Sequence, residues 1–140
     1  MNWQDGLRKF RRRLNEMPRA VVVGTVEEMG NRIIDRTPVL SGRLVQNWKL
    51  TEGVPNTEED TGVGPARGVP KQRLQAALRN VSFKQRLFFT NPVPYAFYIE
   101  FGVKADGSRP TVARMMVRLT LAEFTQIYLE AVRKVRSEFK

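Results

Sequence analysis

The chain contains no cysteine and no histidine. The first absence excludes disulfides and thiolate metal sites, and the second removes the commonest metal ligand and the commonest proton shuttle near neutral pH. Acidic residues are scarce: 14 Asp and Glu stand against 24 Lys and Arg, a formal net charge of +10. A surface of that sign attracts polyanions at physiological salt, and nucleic acid is the obvious candidate. The same excess also serves to solvate helix faces or to meet an acidic partner subunit. No run of about twenty apolar residues is present to span a membrane. The start of the chain, where Trp3, Asp5, Arg8 and Lys9 are mixed, does not read as a signal segment. The expectation is a protein that is soluble and intracellular when made. Its 140 residues, 41% of them hydrophobic, suit a single domain (1–140) with one core.

Trp3, Leu7, Phe10 and Leu14 recur at four, three and four residues, so they share one face of a helix. Arg8, Lys9, Arg11, Arg12 and Arg13 occupy the remainder. That basic run is either a solvated face or a surface turned toward nucleic acid. A second row, Val22, Val26, Met29 and Ile33, has similar spacing but is out of register by one residue. Pro18 lies between the rows, which predicts two helices or one bent helix, broken near Asn15 to Pro18, within a helical region over 1–36. Thr37-Pro38 ends the second segment. After a Ser41-Gly42 turn, Leu44, Trp48 and Leu50 alternate with Val45, Asn47, Lys49 and Thr51, which predicts a strand with one buried face.

Residues 53–70 hold four glycines, three prolines and the acidic cluster Glu58, Glu59 and Asp60, without apolar periodicity. They are expected to form a long extended loop, an arm or hairpin that orders against a partner. A short helix is expected over Gln72 to Arg79 with Asn80 as its stop, then a strand over Phe83 to Thr90. The sequence FTNPVPYAFYIEFG follows as a junction. Asn91-Pro92 and Pro94 stop the strand. Pro94 suits a first helical position, and Gly102 is where a short helix can end. Ser108 and Pro110 are read as the start of a C-terminal helix over 110–139. Its row Val117, Leu121, Phe124, Tyr128, Ala131 and Val135 is the strongest periodicity in the chain and is read as core. Its outer face carries Arg114, Arg118, Arg133, Lys134 and Arg136. The fold class expected is α+β, a small, mainly antiparallel sheet packed by N-terminal helices and a long C-terminal helix.

Three segments, in order, resemble the minor tail and neck proteins of tailed bacteriophages, which complete the tail or join it to the head. The first is Thr37-Pro38 through Ser41-Gly42 to Asn47-Trp48. The second is Thr90-Asn91, Pro94-Tyr95-Ala96 and Glu100-Phe101-Gly102. The third is Pro110 and Met115-Met116 leading into the last helix. The resemblance spans residues 20 to 135; the linker at 103–109 lacks the Gln-Ala-Pro-Gly wording of close relatives, and the N-terminal run is richer in arginine. It implies a structural virion protein in a homo-oligomeric ring of about six copies around the DNA channel at the head–tail junction. Its implied neighbours are other neck, head-closure and tail-terminator proteins, with non-specific contact to packaged DNA. It implies assembly in the host cytoplasm, no cofactor and no membrane.

On that expectation the arm at 53–70 reaches the neighbouring subunit and the arginines of the first and last helices face DNA or partner subunits. The alternative is a stand-alone basic DNA-binding module, against which Trp48, Phe88, Phe89, Tyr95 and Tyr98 stand in apolar contexts suited to packing. An enzyme would need Glu100 beside Tyr95 and Tyr98 as a general acid, with Asp35 as a second carboxylate. A structural Glu100 is the stronger reading, and with Pro94 and Tyr95 it is expected to form an elbow holding the sheet against the last helix.

Overall fold

A computed structural model describes residues 2–39, 41–103 and 112–139. The chain is an α+β fold, as its patterning predicts, with helix dominating. Helix α1 runs over Trp3–Arg36 without interruption, so the break expected near Asn15 to Pro18 does not occur. Pro18 sits inside it and removes one bond, to the Leu14 carbonyl, at an exposed position where that carbonyl can turn to water. Asn2 caps the first turn by accepting the Asp5 N–H at 3.0 Å, and the Arg12–Glu16 pair at 2.9 Å supports the turns before the proline.

The strand expected from Leu44 is short. Arg43–Gln46 form one helical turn, α2, and only Lys49–Glu52 form strand β1. Leu44, Val45, Gln46, Asn47 and Trp48 are all buried, a continuous run that a one-faced strand could not give. Strand β2 is Leu87–Thr90, shorter than the expected Phe83 to Thr90, because Phe83 takes a positive φ of 63°. The two strands pair antiparallel, Leu50 opposite Phe89 and Glu52 opposite Leu87. A two-stranded ribbon is not stable alone. Here α3, Gly68–Arg79, covers it, with Leu74 and Leu78 packed on Leu50. Gly30 of α1 makes that layer possible, since a Cβ there would fall on the Leu74 side chain. Asn80 ends α3, as expected.

The C-terminal region departs most from expectation. Ser108 and Pro110 lie outside the described residues. Beyond them come two helices rather than one, α5 over Met116–Ala122 and α6 over Phe124–Glu138, separated at Glu123. The inward residues are Met116, Thr120, Ile127 and Val135, whereas Leu121, Phe124 and Tyr128 of the expected core row are exposed. The break at Glu123 shifts the register between the two helices. Helix α6 lies on α1, with Gly24 and Ala131 at van der Waals distance. Helix α4, Ala96–Phe101, ends at Gly102 with φ 68°, as the junction sequence predicts, although it opens after Pro94 and Tyr95 instead of at Pro94.

Candidate functional site

Two segments distant in sequence, 37–48 and 90–102, meet at one core of Ile33, Ile34, Leu44, Val45, Trp48, Val93 and Met116. Pro38 follows the C-terminal end of α1, where Thr37, fully buried, joins the segments. Its hydroxyl donates to the Ile33 carbonyl at 2.7 Å and accepts the Trp48 indole N–H at 2.9 Å. Trp48 in turn stacks on Phe89 of β2 at 5.2 Å between centroids. Asn91 donates to the Leu44 carbonyl at 2.7 Å and accepts the Val93 N–H at 3.1 Å, so it pins α2 to the turn before α4. Gly42 has φ +90°, and a Cβ there would overlap the Gly64 carbonyl. The Tyr95 ring lies 5.3 Å from the Arg43 guanidinium, and the Ala96 N–H closes the Pro94-Tyr95 turn onto the Val93 carbonyl.

Glu100 is 7% exposed and caps α5. Its carboxylate accepts the backbone N–H of Val117 at 2.9 Å, that of Arg118 at 3.1 Å, and Arg118 Nε at 3.1 Å. Burial pushes this carboxyl up, but the two N–H donors and the guanidinium outweigh it and hold the group below its ordinary value. A carboxylate at a helix N-terminus satisfies orphan donors and meets the positive end of the helix dipole. Arg118 is therefore an internal partner of Glu100, not the outward cation that the sequence suggests; it also lies 4.2 Å from the Phe101 ring centroid. Asp35 pairs with Lys71 of α3 at 2.6 Å, whereas the partners of Glu100 come from α5. Beside this junction is an apolar cleft of about 380 Å³ lined by Trp48, Phe89, Phe97, Phe101 and Met116.

The acidic cluster is likewise used within the chain. Glu59 pairs with Arg43, and Asp60 with Lys49 at 2.9 Å and Arg73 at 3.4 Å. Asn47 holds both backbone groups of Asp60, accepting its N–H at 2.7 Å and donating to its carbonyl at 3.2 Å. Gln46 donates to the Ala66 carbonyl at 2.6 Å. The loop ends at Arg67, because α3 takes up Gly68 to Pro70. It is strapped to α2 rather than presented as an arm; Glu58 is its exposed carboxylate.

Arg67 and Arg73 carry weight that spacing does not reveal. Arg67 donates to the Thr37 carbonyl at 2.8 Å at the end of α1. Arg73 donates to the carbonyls of Gln46 and Trp48. Glu123 receives Arg36 at 2.6 Å and Arg32 at 3.3 Å, which ties the α5–α6 break to α1 and holds its carboxyl below the usual range. An acid interrupting the apolar row was the available signal.

The polar groups of the junction are largely satisfied, with Arg73 Nε there and Asn31 Oδ1 on α1 buried without a hydrogen-bond partner among the described residues, and the exterior carries unpaired cations. Asp5, Glu16, Glu28, Asp35, Glu59, Asp60, Glu100 and Glu123 each pair with Lys or Arg. Among the described residues Lys9, Arg11, Arg114, Arg133, Lys134 and Arg136 make no ion pair and are exposed. Arg8 pairs with Asp5, Arg12 with Glu16, and Arg13 donates to the Phe139 carbonyl at 3.2 Å. Trp3, Phe10 and Leu14 are 75%, 58% and 59% exposed and Leu7 43%, so the first apolar row is largely turned to water and belongs to neither buried core cluster. No helix among them is long and apolar enough to cross a membrane.

No protein-family model, curated protein or solved structure matches this chain.

Proposed function

We propose that this chain is a structural subunit of a tailed-bacteriophage virion, forming a homo-oligomeric ring around the DNA channel at the head–tail junction. One observation carries the reading: a packed domain leaves the tip of α1 exposed, apolar on one side and cationic on the other. A solitary globular protein gains nothing from exposing Trp3, Phe10 and Leu14 in one row. A ring subunit uses such a row against its neighbour and directs the remaining cations to the phosphates in the lumen. The resemblance of the Thr37 to Trp48 and Thr90 to Gly102 segments to neck and minor tail proteins supports the same assignment. Those motif residues make the elbow between α2, β2, α4 and α5, a rigid frame from which an assembly surface can be presented.

Reconstruction of intact virions tests the proposal directly. Density for this chain in a ring at the head–tail junction is the expected result; its absence from purified virions overturns it. DNA contact is expected to be independent of sequence and to weaken steeply with salt. Nanomolar, sequence-selective binding at physiological salt would instead identify a stand-alone DNA-binding module.

A further inference from the structure

We infer that the tip of α1 docks, through Arg11 and its apolar row, into the cleft between α1 and α6 of a second copy of this chain. The inference rests on the ring reading and specifies the contact that builds the ring. The acceptor is a cleft of about 260 Å³ lined by Glu27, Glu28, Asn31, Ile127 and Glu130. Glu28 is neutralised by Arg32 at 2.8 Å. Glu27 and Glu130 are not: among the described residues each accepts only an amide N–H, from Gln75 at 3.1 Å and Gln126 at 3.2 Å. The Asn31 carbonyl oxygen is buried with no hydrogen-bond donor among the described residues. On a surface dominated by unpaired cations, this cleft gathers carboxylates with spare acceptor capacity and an unsatisfied amide oxygen. Lys134, on its rim, makes no ion pair among the described residues. No group of three acidic side chains close enough to hold a metal ion occurs among the described residues. Spread acceptors of this kind suit a guanidinium, which brings five donors in a fixed fork.

Arg11 is the complementary group. It follows Leu7 by four residues, so it flanks the row of Trp3, Leu7, Phe10 and Leu14, and it makes no ion pair among the described residues. It cannot reach the cleft of its own chain, because Glu27 lies on the same rigid helix roughly 24 Å farther along the axis. The apolar row finds its counterpart next door: Leu129 is exposed and lines the adjoining cleft, which shares Glu130 with the first. Pairing two α1 tips instead would set Arg11 and its neighbouring cations against their own copies. Donor and acceptor are different patches, so the contact is heterologous and closes into a ring when its rotation closes. Lys9, on the opposite side of α1 from the row and without an ion pair among the described residues, stays available to phosphates.

Charge exchange tests this. Arg11→Glu leaves the acceptor cleft intact, and Glu27→Lys with Glu130→Lys leaves the donor intact. Each is expected to weaken self-association by about tenfold or more in sedimentation velocity, and mixing the two proteins is expected to restore it. Circular dichroism verifies that each variant keeps its helix; should the double variant unfold, Glu130→Lys alone, at an exposed position, takes its place. Oligomers unchanged by either variant would overturn the docking contact while leaving the ring. Wild-type protein that stays monomeric at every concentration, and on the addition of purified heads and tails, would overturn both.

Discussion

The first third of α1 and the junction of 37–48 with 90–102 are opposites in how they treat polar and apolar groups. At the junction, Thr37, Asn47, Asn91 and Glu100 direct every bond inward and hold five short elements around Trp48 and Met116. At the α1 tip, large apolar side chains face water, and no hydrogen bond or ion pair joins residues 3–11 to another element among the described residues. The difference teaches where stability and association reside. Buried polar groups are costly to leave unpaired, so a satisfied network fixes one geometry. An exposed apolar row contributes nothing to the fold of its own chain, and its energy is released only against a partner.

If that division is right, the largest loss of stability comes from the junction. Asn47→Ala removes a side chain that donates twice and accepts once, and leaves the backbone of Asp60 with a lost partner on each side. The expected cost is about 3 kcal/mol, read from the urea midpoint. A cost near zero would mean that the loop is held by its ion pairs alone. Glu100→Gln ranks next, at about 1–2 kcal/mol, because an amide cannot accept both N–H groups and also meet the Arg118 guanidinium. Its signature is in the pH dependence. The carboxyl is held below its ordinary value of 4.5 in the fold. Its contribution is therefore complete above that value and is lost as pH falls through the lower, folded one. The gap between wild type and variant is expected to close on acidification; a gap constant with pH would assign the loss to shape and not to charge.

Part of this contrast was legible in the sequence, and the limits are physical. Gly102 and Asn80 ended their helices where expected, because helix stops depend on local backbone preference. The apolar spacing of α1 located the helix correctly, but spacing cannot tell a core face from an unpartnered one. Leu121, Phe124 and Tyr128 show the same ambiguity: they repeat as regularly as any core row, and the break at Glu123 turns them outward. Position 44–48 read as a strand since its residues alternate, yet Asn47 is buried by two bonds to Asp60 that no local pattern encodes. Glu100 was expected to bond backbone groups, and it does, whereas its donors, the N–H groups of Val117 and Arg118, come from a helix whose start the sequence placed earlier.

The smallest expected effect on folding is also the sharpest test of the comparison. Replacing Leu7 and Phe10 by Ser at the α1 tip removes apolar surface that is already in contact with water, so the urea midpoint of the isolated chain should move by less than about 0.5 kcal/mol. Two serines in the helix cost roughly 0.3 kcal/mol in propensity, in a helix whose first turn Asn2 caps independently. Self-association should fall far more than stability, since the same side chains would be buried only in the contact. The ratio of the two effects is what matters. A junction variant such as Asn47→Ala should reduce association only in proportion to the fraction unfolded, and the tip variant should abolish it in fully folded protein. If instead the tip variant unfolds the chain, the row is packed within a single subunit, and the distinction between a satisfied frame and a surface kept for a neighbour fails.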